Sequence, residues 1–333
     1  MKSYADVWRG IVSEANLRDA LRAAVRGKRA RRDVAEFVKH ADVELARLGE
    51  ALCSGGYWPG PYSQFVVHEP KTRVISCAPF RDRVVHHALC AVVGPLLERR
   101  MIADSYACRR GKGTHRAVRR AWTYAARYPF FLKLDVRSFF DSIDHDILLG
   151  RLLLPMFRER EVRQLLERIV RTALPSQTAG KGLPIGNLTS QWFANLYLDA
   201  LDHSIKERWR VRGYVRYMDD LALFGTTRAE LWRCHDDIAG FLSKERALEL
   251  KVERTVLAPC TEGVPFLGMR LFPHALRLRR ERFVRTRRRH GEREQAFLRG
   301  EIDGERLAAA TRARVGILDW FGLKGILHAE ASA

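Results

Sequence analysis

The chain has 333 residues, 47% hydrophobic and 29% charged, with a formal net charge of +20. Such a composition excludes a disordered chain and leaves room for two or three modest domains. No run of about 18 apolar residues marks a spanning helix and the opening MKSYADVWRGIVSEANL lacks a charged-then-apolar leader, so a cytoplasmic protein with no membrane partner is expected. Lys and Arg number 59 against 39 Asp and Glu. That surplus points to a polyanionic partner, nucleic acid before others, although a basic surface kept for solubility is the plainer reading. Cys53, Cys77, Cys90, Cys108, Cys234 and Cys260 form no C-x-x-C pair, which argues against a zinc site or a disulfide framework.

Residues 16–52 carry apolar positions at helix spacing, split by the basic stretch RGKRARR, and Gly55, Gly56, Pro59, Gly60 and Pro61 mark a loop. SQFVVHEPKTRVISCAPF predicts two short strands around a turn at Glu69 and Pro70. RDRVVHHALCAVVGPLLERRM predicts a helix that breaks or ends near Gly94 and Pro95. A basic, glycine-containing loop then feeds a helix across 104–128. FFLKLDV is a buried strand closed by a carboxylate. Helical stretches fill about 145–173, and KGLPIGNLTSQ is a loop in which Asn187 or Thr189 can cap the next helix. GYVRYMDDLALFG is a hairpin, followed by a helix at about 228–246 and strands in LELKVERTVLAP and VPFLGMRLF. From Arg277 the chain reads as an Arg-rich helix to about Phe321, with eight arginines between Arg277 and Arg289. A solvated face and a surface that tracks a phosphate backbone both fit that run.

In the hairpin, Tyr214, Arg216 and Met218 face one way, Val215 and Tyr217 the other, and Asp219 and Asp220 stand at the tip. Adjacent carboxylates repel unless a cation lies between them. A polar turn is the alternative, but this turn has no Gly or Asn to choose it on turn chemistry. A third acid, Asp135, ends the strand expected beside the tip, and three acids there suit two Mg²⁺ ions, with Mn²⁺ as a substitute.

YMDD between apolar strands, LKLDVRSFF upstream and GLPIG between them resemble a reverse transcriptase, in the family's order, over about residues 56–272. The resemblance implies metal ligands at Asp135, Asp219 and Asp220 with the Val136 carbonyl, and catalysis by the three acids. It implies nucleotide contacts at Lys71 and Arg73 (the triphosphate), at Phe140 (a ring that excludes a 2′ hydroxyl) and at Ile185, Gly186 and Gln191 in the substrate loop. Tyr217 and Met218, with Phe266, Leu267 and Gly268 of VPFLGM, would meet primer and template, as would Arg279 and Arg282. Arg254 falls where relatives often carry a lysine proton donor, a role that arginine serves poorly.

The substrate loop departs from most of the family: Ile185 stands where an amide is usual and Gln191 where a proline is usual. This I-G-x-x-x-S-Q pattern resembles the reverse transcriptases of diversity-generating retroelements. That resemblance implies copying of a template-repeat RNA into adenine-mutagenised cDNA, with an RNA/cDNA duplex and dNTPs bound, beside a small basic accessory variability protein that forms a ring. The alternatives are a reverse transcriptase of another bacterial retroelement or phage-defence system, an RNA-copying RNA polymerase, and a non-catalytic RNA-binding scaffold. The fold class expected is α+β: a right-hand polymerase with a ferredoxin-like palm, fingers and a helical thumb. The expected domains are an N-terminal helical segment and fingers at 1–129, a palm at 130–272 with an insertion at about 150–188, and a basic thumb at 273–333.

Overall fold

The computed structural model describes residues 4–68, 72–172 and 178–320. The strands are β1 (Ser63–Val67), β2 (Arg73–Cys77), β3 (Phe130–Asp135), β4 (Gly213–Tyr217), β5 (Asp220–Gly225), β6 (Val256–Pro259), β7 (Val264–Phe266), β8 (Met269–Phe272) and β9 (Ala275–Leu278). They form three antiparallel sheets ordered β1-β2, β4-β5-β3-β6 and β7-β8-β9. The central sheet has ferredoxin-like order, with helices between β3 and β4 and between β5 and β6.

Alternation along β3 decides which core each residue joins. Leu132 and Leu134 pack with Tyr214, Leu221 and Leu223 against the helices Leu188–Tyr197 and Arg228–Arg246. Phe131 turns to the opposite face with Val215, Ala222 and Phe224, under the helix Thr114–Arg127 and the third sheet. Both faces are covered, which is why these strands read as nearly continuous apolar runs.

The N-terminal region is four helices, Val7–Val12, Glu14–Val25, Arg32–Lys39 and Ala41–Cys53, packed on the long helix Phe80–Glu98 through residues such as Leu17, Leu21, Val85 and Leu89. The Glu159 carboxylate accepts hydrogen bonds from the Val7 and Trp8 amides at 2.7 and 3.0 Å, satisfying the start of the first helix from a remote segment.

Several expectations are corrected. The helix Phe80–Glu98 runs through Pro95 and stops one turn later, so the proline does not break it. Gly94 beside it lies against the Trp192 ring, where a Cβ would come within 3.2 Å. Asn187 occupies the N-cap position of Leu188–Tyr197, but its side chain donates to the Tyr62 hydroxyl at 2.6 Å instead of capping, and Thr189 lies inside the helix. In the stretch expected as one strand, Val252–Arg254 is a short 3-10 turn and only Val256–Pro259 pairs with β3. VPFLGMRLF is a hairpin rather than a single strand, and Ala275–Leu278 pairs with it, so the terminal helix starts at Arg280.

Behind the central sheet lies a buried acid. Asp199 is 3% exposed and its Oδ1 accepts no hydrogen bond among the described residues. Burial, then the neighbouring Asp202, pushes its carboxyl up to about 6. A raised folded value means that the ionised form costs stability at high pH, and that the cost shrinks as pH falls from about 6 towards the ordinary Asp range. Asp199→Asn is therefore expected to stabilise the chain by about 1–3 kcal/mol at pH 8, with no gain below pH ~4. Thermal melts across that range measure it.

Candidate active site

The end of β3 and the tip of the β4–β5 hairpin meet through the sheet register. Asp135 lies directly opposite Asp220, and Tyr217 also opposes Asp220. Met218 and Asp219 form the turn, with Met218 in the left-handed region at φ +59°. The Val136 amide donates to the Asp219 carbonyl at 3.3 Å, tying the tip to the residue after β3. The Lys251 amide donates to the Asp135 carbonyl at 2.8 Å and fixes the other strand end.

Burial, then the Asp135 charge, raises the Asp219 carboxyl above its ordinary range, while Lys133 and Arg73 pull it down. Two partly buried acids in repulsion are a fitting donor pair for a divalent cation. Asp220 stands differently, because the Lys133 ammonium pairs with its carboxylate. Burial pushes Lys133 down to about 8 against the pull of Asp135 and Asp219. Among the described residues no group of three His, Cys, Asp or Glu side chains is arranged to hold a metal ion.

Asp135, Asp220 and Lys133 open into a cleft of about 710 Å³. Arg254, Arg279 and Arg285 also line it, cations suited to phosphates. Leu267 and Gly268, both with positive φ, form the β7–β8 turn on the cleft wall, and the Arg279 amide donates to the Gly268 carbonyl at 3.1 Å. Phe266 is 1% exposed, with its ring 5.8 Å from the Lys133 ammonium, so it supports the floor instead of presenting a free surface.

Arg73 begins β2, exposed, and its charge reaches Asp219. Phe140 is half-buried, its ring edge-on to Phe139 at 5.6 Å, and its carbonyl accepts from the Leu183 amide at 2.8 Å. The substrate loop is thus tied to the segment after Asp135. It is also tied to β2, because the Ser76 amide donates to the Ile185 carbonyl at 3.0 Å. Gly186, at φ +120°, leaves room for Ile75 and the Ser76 carbonyl, each 3.1 Å from where a Cβ would stand. Gln191 lies half-buried in the first turn of Leu188–Tyr197. The Tyr217 hydroxyl accepts from Thr114 at 3.2 Å, and Met218 is buried beneath the tip. Lys71 and the Arg282 side chain lie outside the described residues.

Two residues absent from the sequence expectations stand out, Lys133 and Arg216. Their signal was available, since each is the lone cation of its strand.

The chain is 24% identical over 292 residues to protein YkfC of Escherichia coli K12, covering 75% of this chain and 74% of YkfC. It is 22% identical over 169 residues to the group II intron-encoded protein LtrA of Lactococcus lactis subsp. cremoris, covering 49% of this chain and 28% of LtrA. Telomerase from Candida albicans, solved with the TWJ fragment of telomeric RNA, superposes with a TM-score of 0.50 at 12% identity over 66% of this chain. A C-terminally truncated Candida tropicalis telomerase gives 0.50 at 11% identity over 72%. The chain spans 47% and 60% of those two telomerase chains, so the likeness is one of fold. No helix among the described residues is long and apolar enough to cross a membrane. The model of the family described as reverse transcriptase (RNA-dependent DNA polymerase) matches residues 67–271, more than half of the sequence, and the chain belongs to that family.

Proposed function

We propose that the chain is an RNA-directed DNA polymerase, transferring a deoxynucleoside monophosphate to a primer 3′ hydroxyl with release of pyrophosphate. The observation that carries this reading is the coupling of Asp219 to Asp135, which with Asp220 lines an arginine-walled cleft. Asp135 and Asp219 would hold two Mg²⁺ ions, or Mn²⁺ in their place, with the Val136 carbonyl and Asp220 as further ligands. Bound metal supplies a more acidic primer hydroxyl and neutralises charge on the departing pyrophosphate.

The protein's own groups set the substrates. Arg73 meets the triphosphate from β2. Phe140 places a ring where a 2′ hydroxyl would sit, which selects dNTPs. Leu267, Gly268 and Arg279 back the primer strand. We propose a palm that extends to about residue 278 and a thumb from Arg280, a division that the pairing of β9 with β8 supports.

Ile185 in place of an amide supports the narrower reading, a diversity-generating retroelement enzyme that copies a template-repeat RNA beside a basic ring-forming accessory protein. An apolar side chain there offers the nucleotide no hydrogen bond, and that loosens geometric selection.

Primer extension on an RNA template, with dNTPs or NTPs and Mg²⁺, followed by cDNA sequencing, tests both levels. Incorporation of dNTPs with errors at template adenines is expected, and Ile185→Gln should cut those errors about tenfold, the worth of one restored hydrogen bond. Faithful cDNA, or an unchanged spectrum in Ile185→Gln, removes the narrower reading. Preference for NTPs points to an RNA polymerase, and absence of synthesis to an RNA-binding scaffold.

A further inference from the structure

We propose that Arg216 is a positioning residue that latches the metal-binding turn from the underside of the palm sheet. The inference rests on the polymerase reading and concerns how Asp219 is aimed.

Arg216 is the largest fully buried side chain of the chain's described residues, at 0% exposure, and its partner Asp202 is equally buried. A buried ion pair is a poor source of stability, since apolar residues of similar volume usually serve as well. Its retention calls for a reason, and the geometry supplies one. All five guanidinium hydrogens have acceptors. Nε donates to the two Asp202 oxygens at 2.8 and 3.0 Å, and Nη2 to Asp202 Oδ2 at 2.5 Å and the Asn195 carbonyl at 3.3 Å. Nη1 donates to Asn195 Oδ1 at 3.1 Å and to the Met218 carbonyl at 3.1 Å.

The last bond is the informative one. Met218 is in the left-handed region, disfavoured for a side chain of its kind. Its carbonyl belongs to the peptide that leads into Asp219, so holding that oxygen fixes the plane from which Asp219 departs. The next peptide is held from the other side by Val136, which donates to the Asp219 carbonyl. Asp219 is thereby pinned at both flanking peptides. The latch itself is braced. The Arg216 amide donates to the Asp104 carbonyl at 2.9 Å, the Tyr106 amide donates to the Arg216 carbonyl at 3.0 Å, and the Tyr214 hydroxyl donates to Asp202 at 2.7 Å. Asn195 is anchored to the Ala107 carbonyl at 2.8 Å. A rigid frame of the strand and the helices Leu188–Tyr197 and Asp199–His203 therefore reaches the turn through one guanidinium nitrogen.

The test uses the full chain in two variants. Arg216→Lys keeps the charge but lacks the forked donors. The triple variant Asp202→Leu, Tyr214→Phe and Arg216→Met removes the whole charge pair and strands no hydroxyl. Mn²⁺ binding by calorimetry and thermal melting are measured on each, with Asp219→Asn as the control for a lost site. The expected result is Mn²⁺ affinity about tenfold weaker in any variant that melts within a few degrees of the parent, the worth of the lost bond to Met218. A folded variant with parental Mn²⁺ affinity overturns the latch and leaves the network a purely structural role. Failure of the polymerase reading looks different: the parent chain binds Mn²⁺ in an Asp219-dependent way yet incorporates no nucleotide.

Discussion

Asp135→Asn and Asp219→Asn are each expected to reduce nucleotide incorporation by at least about 10³-fold, the scale on which removal of a main electrostatic element slows a polar transfer reaction. An amide keeps the shape and the neutral hydrogen bonds but cannot neutralise a cation. Asparagine substitution also separates the two acids of the hairpin tip, Asp219 and Asp220, by the sign of its effect on folding. Burial and Asp135 raise the Asp219 carboxyl, so its ionised form costs stability, and Asp219→Asn should melt higher than the parent at neutral pH. The gain should shrink as pH falls through the raised value, because the parent then binds the proton that relieves the repulsion. Asp220→Asn should behave oppositely. Its carboxylate pairs with Lys133, a largely buried ammonium, and removing it takes away that ammonium's direct partner and leaves only the longer-range pull of Asp135 and Asp219. A lower melting temperature is expected, with a smaller loss of incorporation than at Asp219. Equal losses of activity with equal shifts in melting would show that the two acids are not differentiated as the ion pair implies.

The difference between those acids was not legible in YMDD, where they are neighbours of identical type. It arises because β3 places Lys133 two residues before Asp135, on the same face as Asp220 across the register. A lysine among Phe131, Leu132 and Leu134 was a visible anomaly, but its partner depends on which strand lies beside β3. The sheet itself was legible, because the apolar runs, the hairpin and the intervening helices follow local periodicity, and their order specifies the ferredoxin-like arrangement. What escaped was contact between remote segments. The docking of the substrate loop on β2 rests on one bond, Ser76 to Ile185, and on a glycine that leaves room for it. The third sheet escaped for a related reason. Leu267 and Gly268 make a tight turn of two positive-φ residues, and a leucine in that conformation is not a turn signal.

Gly213→Ala is expected to be the most damaging single-methyl change in the palm, costing about 3 kcal/mol or more. Gly213 opens β4 and pairs with Phe224 of β5. A Cβ there would stand 2.6 Å from the Phe224 carbonyl oxygen, 2.8 Å from the Phe224 Cβ and 3.1 Å from the Tyr128 ring. The nearest of these atoms is backbone, so no rotamer change removes the collision. β5 cannot retreat, because it is hydrogen-bonded to β3 on its other edge and Phe224 is 1% exposed. The strain must therefore go into β4, which carries Arg216 and leads into Met218 and Asp219. Chemical denaturation should show a lower midpoint with an unchanged slope if the palm still folds as one unit. Mn²⁺ affinity in the folded fraction should fall as well, because the displaced strand is the one that aims Asp219. Parental stability in Gly213→Ala would mean that β4 has more freedom at its start than the close approach to Phe224 allows, and the rigid frame inferred for the active-site turn would lose its base.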